Sequence, residues 1–277
     1  MLADNTREAI FRHFEGLDFW SPYWRQSALV VAGSYARGTV DEFADVDVHV
    51  YVPEASFGPL YAHYRRAVDE GRIEVMNPAA FRYGEFPLVL MSGVRGHYRV
   101  YVFEEAERQI AGHDDVAMWV HQSSIVLHDP SGRYSAMRDA ASSYPEDAWR
   151  EKIRFHNLEA IEAAGAASNA LRRNDLPAVT LTMTNCAAHA LRVCCLLDRR
   201  PFPYDKWLYR EALQTRAGRE LEPLFEEFFE EIRKPVLTRE RPVCYQRPGH
   251  RNADLEEFRL YALWLRIRSY LEAHWPK

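Results

Sequence analysis

The sequence predicts a mixed α/β unit over residues 1–143 followed by an α-helical bundle over residues 144–277. Two observations carry that division. Before Ser143, short β-branched runs alternate with helical stretches and glycine turns; from Pro145 the apolar spacing is helical almost to the end. The length of 277 residues also suits two domains, at about 150 residues each.

In chain order, a short amphipathic helix is expected at about Thr6–His13. The run Ala28-Leu29-Val30-Val31-Ala32 is apolar, β-branched and stopped by Gly33, so it reads as a buried strand. Val46–Val52 alternates cleanly and is a second strand, and Phe57–Asp69 has helical periodicity that ends at Gly71. Arg72–Met76 reads as a brief strand. Phe86–Met91 and His97–Phe103 are two more, joined by the turn-rich Ser92–Gly96. Asp115–Gln122 is a helix, and His128–Gly132 is a loop in which Asp129 bonds its own backbone, with another helix after it. The bundle reads as helices at Pro145–Arg173, Pro177–Asp198, Asp205–Thr215, Arg219–Arg233 and Asp254–His274. Pro145 suits a first turn, and Asn252 or Asp254 suits the cap of the last helix.

Composition excludes several classes. With 47% hydrophobic and 27% charged residues the chain is ordinary for a globular protein, and no run approaches the roughly 18 apolar residues of a membrane span. Met1–Asn5 has no positive region followed by an apolar run, so no secretory signal is read and the cytoplasm is the expected compartment. A net charge of −5 argues against general nucleic-acid binding. Up to Ser143 there are 13 Arg, no Lys and 20 acids, a net of −7; the remainder carries 18 Arg, 4 Lys and 20 acids, a net of +2. Such asymmetry suits a cleft with metal on one wall and an anion on the other, and chance accounts for it equally well. Cys186, Cys194, Cys195 and Cys244 form no C-x-x-C pair and read as reduced core residues, not a zinc site.

The chemistry concentrates in Val30-Val31-Ala32-Gly33-Ser34-Tyr35-Ala36-Arg37-Gly38-Thr39 and in Asp45-Val46-Asp47-Val48-His49. A strand that ends at Gly33-Ser34 and turns into a helix presents backbone N–H groups and a hydroxyl to an anion, most plausibly the phosphates of a nucleotide. Gly33 permits close backbone approach, and Arg37 adds a positive charge one turn on. Asp45 and Asp47, two apart on a strand, point to one face and suit Mg²⁺, which shares its remaining positions with phosphates and water.

These residues resemble the nucleotidyltransferase superfamily related to DNA polymerase beta, marked by Gly-Ser, a nearby Arg-Gly and Asp-x-Asp. The likeness extends to two-domain aminoglycoside and lincosamide nucleotidyltransferases and to uncharacterised bacterial relatives. Tyr144–Trp149, Leu171–Asp175 and Pro203–Leu208 look like signatures of the latter. The resemblance implies a nucleotidyltransferase-type mixed sheet with helices, and Mg²⁺-dependent transfer of a nucleoside monophosphate, AMP from ATP, to a hydroxyl of a small molecule such as an aminoglycoside- or lincosamide-like antibiotic. It also implies a third carboxylate on a later strand. His97–Phe103 is the place to look and contains none; Arg99 or Tyr101 occupies the candidate positions. Glu74 is the substitute candidate for a catalytic carboxylate, with Glu104 or Glu105 as others. That departure keeps a second reading open: a nucleotide-binding regulatory or interaction module with little or no turnover, or a protein-modifying nucleotidyltransferase.

His49 extends the aspartate face and reads first as a plain polar strand residue. His156 and His189 read as packed or surface residues, Glu226, Glu227, Glu230 and Glu231 as a solvated helix face, and Trp149, Trp207 and Trp264 as core. Lys206 is one of four lysines and follows the basic, proline-rich Arg199–Pro203, which suits either a phosphate contact or a solvated ion pair.

Overall fold

The alternation in Val46–Val52 places this strand at the centre of a five-stranded sheet. The computed structural model describes residues 3–173, 175–233 and 259–276 and divides into two compact units, Met1–Ser142 and Ser143–Lys277. In the first unit the strands are β1 (Ala28–Ala32), β2 (Val46–Val52), β3 (Val89–Leu90), β4 (Gly96–Val102) and β5 (Ile125–His128), ordered β3-β4-β2-β1-β5. β2 and β4 pair in parallel, whereas β1 runs antiparallel to β2 and β5, and β3 antiparallel to β4. The helices are α1 (Asp4–Glu15), α2 (Gly33–Arg37), α3 (Glu54–Asp69), α4 (Phe103–Ala111), α5 (Asp115–Ser123) and α6 (Arg133–Ala140).

One face of the sheet is a hydrocarbon and aromatic core. Val46, Val48, Val50 and Val52 of β2, Tyr98 and Val100 of β4, and Leu29 and Val31 of β1 bury there against Ile10 and Phe14 of α1 and Leu60 and Tyr64 of α3. Inside it the Trp20 indole N–H donates to the Tyr64 hydroxyl at 2.5 Å, and that hydroxyl meets the Tyr98 hydroxyl at 2.6 Å. Each buried polar tip therefore has a partner, as burial among hydrocarbon requires.

Several expected elements change in the tertiary setting. Arg72–Met76 is not a strand: its one pairing is the isolated bridge of Val75 to Val89. The run expected at Phe86–Met91 contracts to the two residues of β3. One α-helix and one strand among the described residues go beyond the sequence expectations. The helix α4 buries Phe103, Ala106 and Ile110, three apolar residues in an otherwise charged stretch, and Arg133 of α6 forks onto its Glu107 with two 2.7 Å bonds. The strand β5 is four residues of middling burial, made a strand by pairing with β1. The His128–Gly132 loop does form the Asp129 turn, whose carboxylate accepts the N–H groups of Tyr134 and Ser135.

The second unit holds α7 (Glu146–Arg172), α8 (Leu176–Leu197), α9 (Asp205–Ala212), α10 (Arg216–Arg233) and α11 (Arg259–Ala273). α7 and α8 pack antiparallel: Trp149 donates to the Leu196 carbonyl at 2.5 Å, and the Nδ1 atoms of His156 and His189 meet at 2.9 Å. Pro145 sits at the N-cap of α7, one residue ahead of the helix and not in its first turn. Asp175 caps α8 by accepting the Ala178 N–H. Cys186, Cys194 and Cys195 are buried thiols. Cys244, Asn174 of the Leu171–Asp175 signature, and the expected caps Asn252 and Asp254 lie outside the described residues. Among the described residues no helix is long and apolar enough to cross a membrane.

Candidate functional site

The odd-numbered residues of β2 and β4 alternate with those of the apolar core and so face the other side of the sheet. The parallel register sets Asp47 beside His97, His49 beside Arg99 and Tyr51 beside Tyr101. Asp45, one residue ahead of β2, joins the first pair. His97 Nδ1 lies 3.0 Å from Asp45 Oδ2, and its Nε2 lies 3.0 Å from Asp47 Oδ1. A carboxylate at each ring nitrogen favours the protonated imidazole. Accordingly the His97 pKa is raised, first by the hydrogen bond to Asp47 and further by both aspartate charges, against the opposing effect of partial burial. One ligand atom from each of Asp45, Asp47 and His97 lies within 4.8 Å of the others. Two carboxylates and an imidazole at that separation fit a divalent cation.

Gly33 closes the other side of the group. Its φ is +65°, and a Cβ there would lie 2.1 Å from Asp47 Oδ2. Glycine is thus required twice, by the left-handed backbone and by the direct approach of backbone to carboxylate. The β1–β2 register, which pairs Ala32 with Asp47, sets up that approach. Ser34, in the first turn of α2, is buried, and α2 closes at Gly38 in the left-handed conformation. Arg37, the last residue of α2, stacks its guanidinium on Trp119 of α5, 3.5 Å from the ring centroid.

Further along the same face is a cavity of about 370 Å³ whose lining includes His49, Tyr51, Tyr101, His121, Glu105 and Asp114. Burial pushes the His49 pKa down to about 4, outweighing the nearby Asp47 charge, so His49 is a neutral lining residue near pH 7. His121 is likewise held at about 4 by burial, and its Nδ1 meets the Tyr134 hydroxyl at 2.9 Å.

Residues 15–120, which contain all of these strand and loop positions up to α5, match the family described as nucleotidyltransferase domain. The chain carries a nucleotidyltransferase domain. Residues 113–208 match a second family, described as a domain of unknown function (DUF4037), which runs across the junction of the two units. A solved structure described as a nucleotidyltransferase-like protein from Exiguobacterium sibiricum 255-15 is similar over 96% of this chain and 74% of its own, at 10% identity and a TM-score of 0.48. No curated protein matches the chain significantly.

Within the nucleotidyltransferase domain the structure gathers Gly33, Asp45 and Asp47 and leaves Glu74 apart. The expectation that the strand of Glu74 adjoins the aspartate strand is corrected: Val75 bridges β3 at the sheet edge, and β3 and β4 both lie between it and β2. Glu74 is exposed there, its carbonyl accepting the Leu90 N–H. Glu104 and Glu105 fall in the first turn of α4, where Glu104 accepts the Glu54 N–H and pairs with Arg133, and Glu105 pairs with Arg108. In the second unit Lys206 is exposed in the first turn of α9, its Nζ 5.3 Å from the Trp207 ring. Trp149 and Trp264 are core, and Trp207 is half-buried with its indole N–H on the Tyr204 hydroxyl. Glu227 and Glu231 of the acidic face of α10 are not simply solvated, since both pair with Arg259 of α11.

The residue that sequence reasoning missed is His97. It heads the strand inspected for a third carboxylate, but its partner is set by register. A one-residue slip of β4 would turn His97 into the apolar core and bring Tyr98 beside the aspartates.

Proposed function

We propose that the protein transfers a nucleoside monophosphate from a nucleoside triphosphate to a hydroxyl of a small molecule, in a divalent-metal-dependent reaction. The observation that carries this reading is the meeting of Asp45 and Asp47 on one sheet face, against Gly33, inside a matched nucleotidyltransferase domain. Asp45, Asp47 and His97 would hold the cation, which supplies positive charge for the phosphate oxygens and for the developing charge on the leaving group. The aspartate pair by itself suits Mg²⁺, and the family resemblance implies ATP as the donor, so that AMP is the group moved.

The start of α2, at Gly33 and Ser34, receives phosphate oxygens through its N–H groups and hydroxyl, with Arg37 adding charge one turn on. Lys206 in the helical unit is assigned a further phosphate contact. The acceptor oxygen attacks the α-phosphorus and its proton passes to a carboxylate of the Asp45–Asp47 pair. The bond from the α-phosphorus to its bridging oxygen then breaks, and pyrophosphate leaves. The acceptor is a small hydroxylated molecule, cationic in the manner of an aminoglycoside- or lincosamide-like antibiotic. The net charge of −7 over residues 1–143 supports that class. In this reading residues 1–143 form the nucleotidyltransferase-like unit and residues 144–277 the helical bundle.

The test is incubation with labelled ATP and other triphosphates against a panel of hydroxylated acceptors, with mass analysis of products and of the protein. A product heavier by one nucleoside monophosphate, absent with Asp47→Asn, is expected. Absence of any product with every nucleotide, despite measurable nucleotide binding, favours the second reading, a binding module without turnover. The observation behind that reading is His97 spanning both aspartates where the resemblance leads one to expect a carboxylate. Label on the protein itself identifies a protein-modifying enzyme.

A further inference from the structure

We propose that His97 is the third protein ligand of the cation, and that the site therefore selects a first-row transition-metal dication over Mg²⁺. This rests on the reading of Asp45 and Asp47 as metal ligands and adds the identity of the ion.

The geometry comes from three independent constraints. The register places His97 directly beside Asp47, and Asp45 reaches the other edge of the ring, so both ring nitrogens already face carboxylates at 3.0 Å. The other outward positions of β4 are Arg99, paired with Glu85, and Tyr101, which lines the cavity. Glu74 is screened off by β3 and β4. Among the described residues no other group of three His, Cys, Asp or Glu side chains converges. The donor set is therefore two oxygens and one imidazole nitrogen.

The ligand chemistry then selects the ion. Mg²⁺ is a hard cation that takes oxygen donors and sheds water reluctantly, so an imidazole in place of a carboxylate loses both charge and preferred donor type. First-row transition dications accept imidazole and carboxylate together. Gly33 contributes by letting Asp47 Oδ2 lie directly against its backbone, where any side chain would press on it.

The test uses the full chain with Mn²⁺ and Mg²⁺ as probes. Calorimetry and competition should show Mn²⁺ binding more tightly than Mg²⁺, and the preference is traced to the imidazole by the variants and the resonance below. Pulsed electron paramagnetic resonance of the Mn²⁺-loaded protein should show coupling to a directly bound imidazole nitrogen, which disappears in His97→Ala. That variant should lose Mn²⁺ affinity by roughly tenfold or more, at least the loss seen when an outer-shell partner is removed. His97→Asp should raise Mg²⁺ affinity and narrow the Mn²⁺/Mg²⁺ ratio. A parent protein with no nitrogen coupling, or one that binds both ions equally, overturns the proposal whatever the variants do. So does full Mn²⁺ affinity in a folded His97→Ala. Nitrogen coupling without nucleotidyl transfer in any assay sinks the transfer reading and leaves the ligand assignment standing. Transfer that runs as well on Mg²⁺ and in His97→Ala does the reverse.

Discussion

The two faces of the central sheet use the same strands for opposite ends. Even-numbered residues of β2 and β4 (Val46, Val48, Val50, Tyr98, Val100) are at most 2% exposed and hold the unit together. The odd-numbered Asp47, His49, His97, Arg99 and Tyr101 share the other face with a charged triad and a cavity. On the apolar face the buried polar tips of Trp20, Tyr64 and Tyr98 are neutral and bonded to one another. On the opposite face charge is retained and offset by neighbouring charge. The apolar face therefore carries stability, while the other holds the charged side chains that a cation or a substrate would engage.

Substitutions on the two faces should separate activity from stability, and the largest effect is expected on the polar one. Asp47→Asn should lower nucleotidyl transfer by about 10³-fold, the scale of removing a principal electrostatic contact at a reacting centre, with the urea midpoint unchanged. Equal turnover in that variant would remove Asp47 from the reaction. Gly33→Ala acts on both properties. Backbone strain at φ +65° costs about 1–3 kcal/mol, and the new Cβ displaces the Asp47 carboxylate, so unfolding measurements and turnover should fall together. A stable, active Gly33→Ala protein would show that the close approach is dispensable.

The apolar face should show the converse. Tyr64→Phe leaves the Trp20 N–H and the Tyr98 hydroxyl without their shared partner and should cost about 1–3 kcal/mol of stability with turnover retained. A loss of turnover at intact stability would break the division between the faces. The smallest effect is pH-dependent. His13, packed on Phe14 and Tyr98, accepts the Ser92 N–H through Nδ1, and burial lowers its pKa from 6.5 to about 4. Because the folded value lies below the unfolded one, the unfolded chain takes up the proton first as pH falls. This contribution is complete above about pH 6.5 and declines toward pH 4, by no more than about 1.4 kcal/mol per pH unit. Stability curves of the parent and His13→Gln measured between these limits should converge at the acid end; parallel curves would exclude His13 as their cause.

How much of this was legible depended on the range of the forces involved. β1 and β2 were readable to the residue because their apolar runs are dense and bounded by Gly33 and Asp45. Arg72–Met76 has a similar composition but gains only the Val75 bridge, since the edge strand β3 offers two residues to pair with. The helix α4 was hidden because its apolar stripe is three residues wide and its ion pairs run to Arg133, about 26 positions on in the chain. Glu74 looked equivalent to any other carboxylate until strand order placed it beyond β3.

By itself the sequence determined which residues share a face, because side-chain parity along a strand is a local property: Asp45 and Asp47 had to converge, and Gly33 had to stand where a strand turns sharply into a helix. Only the tertiary structure decided what they converge on. The parallel register of β2 and β4 brought His97 to Asp47, and packing of the helices over the same face buried His49 enough to keep it neutral. Register and burial are sums over residues distant in the chain, so no local pattern encodes them, although together they set the donor atoms and the protonation states on which the chemistry depends.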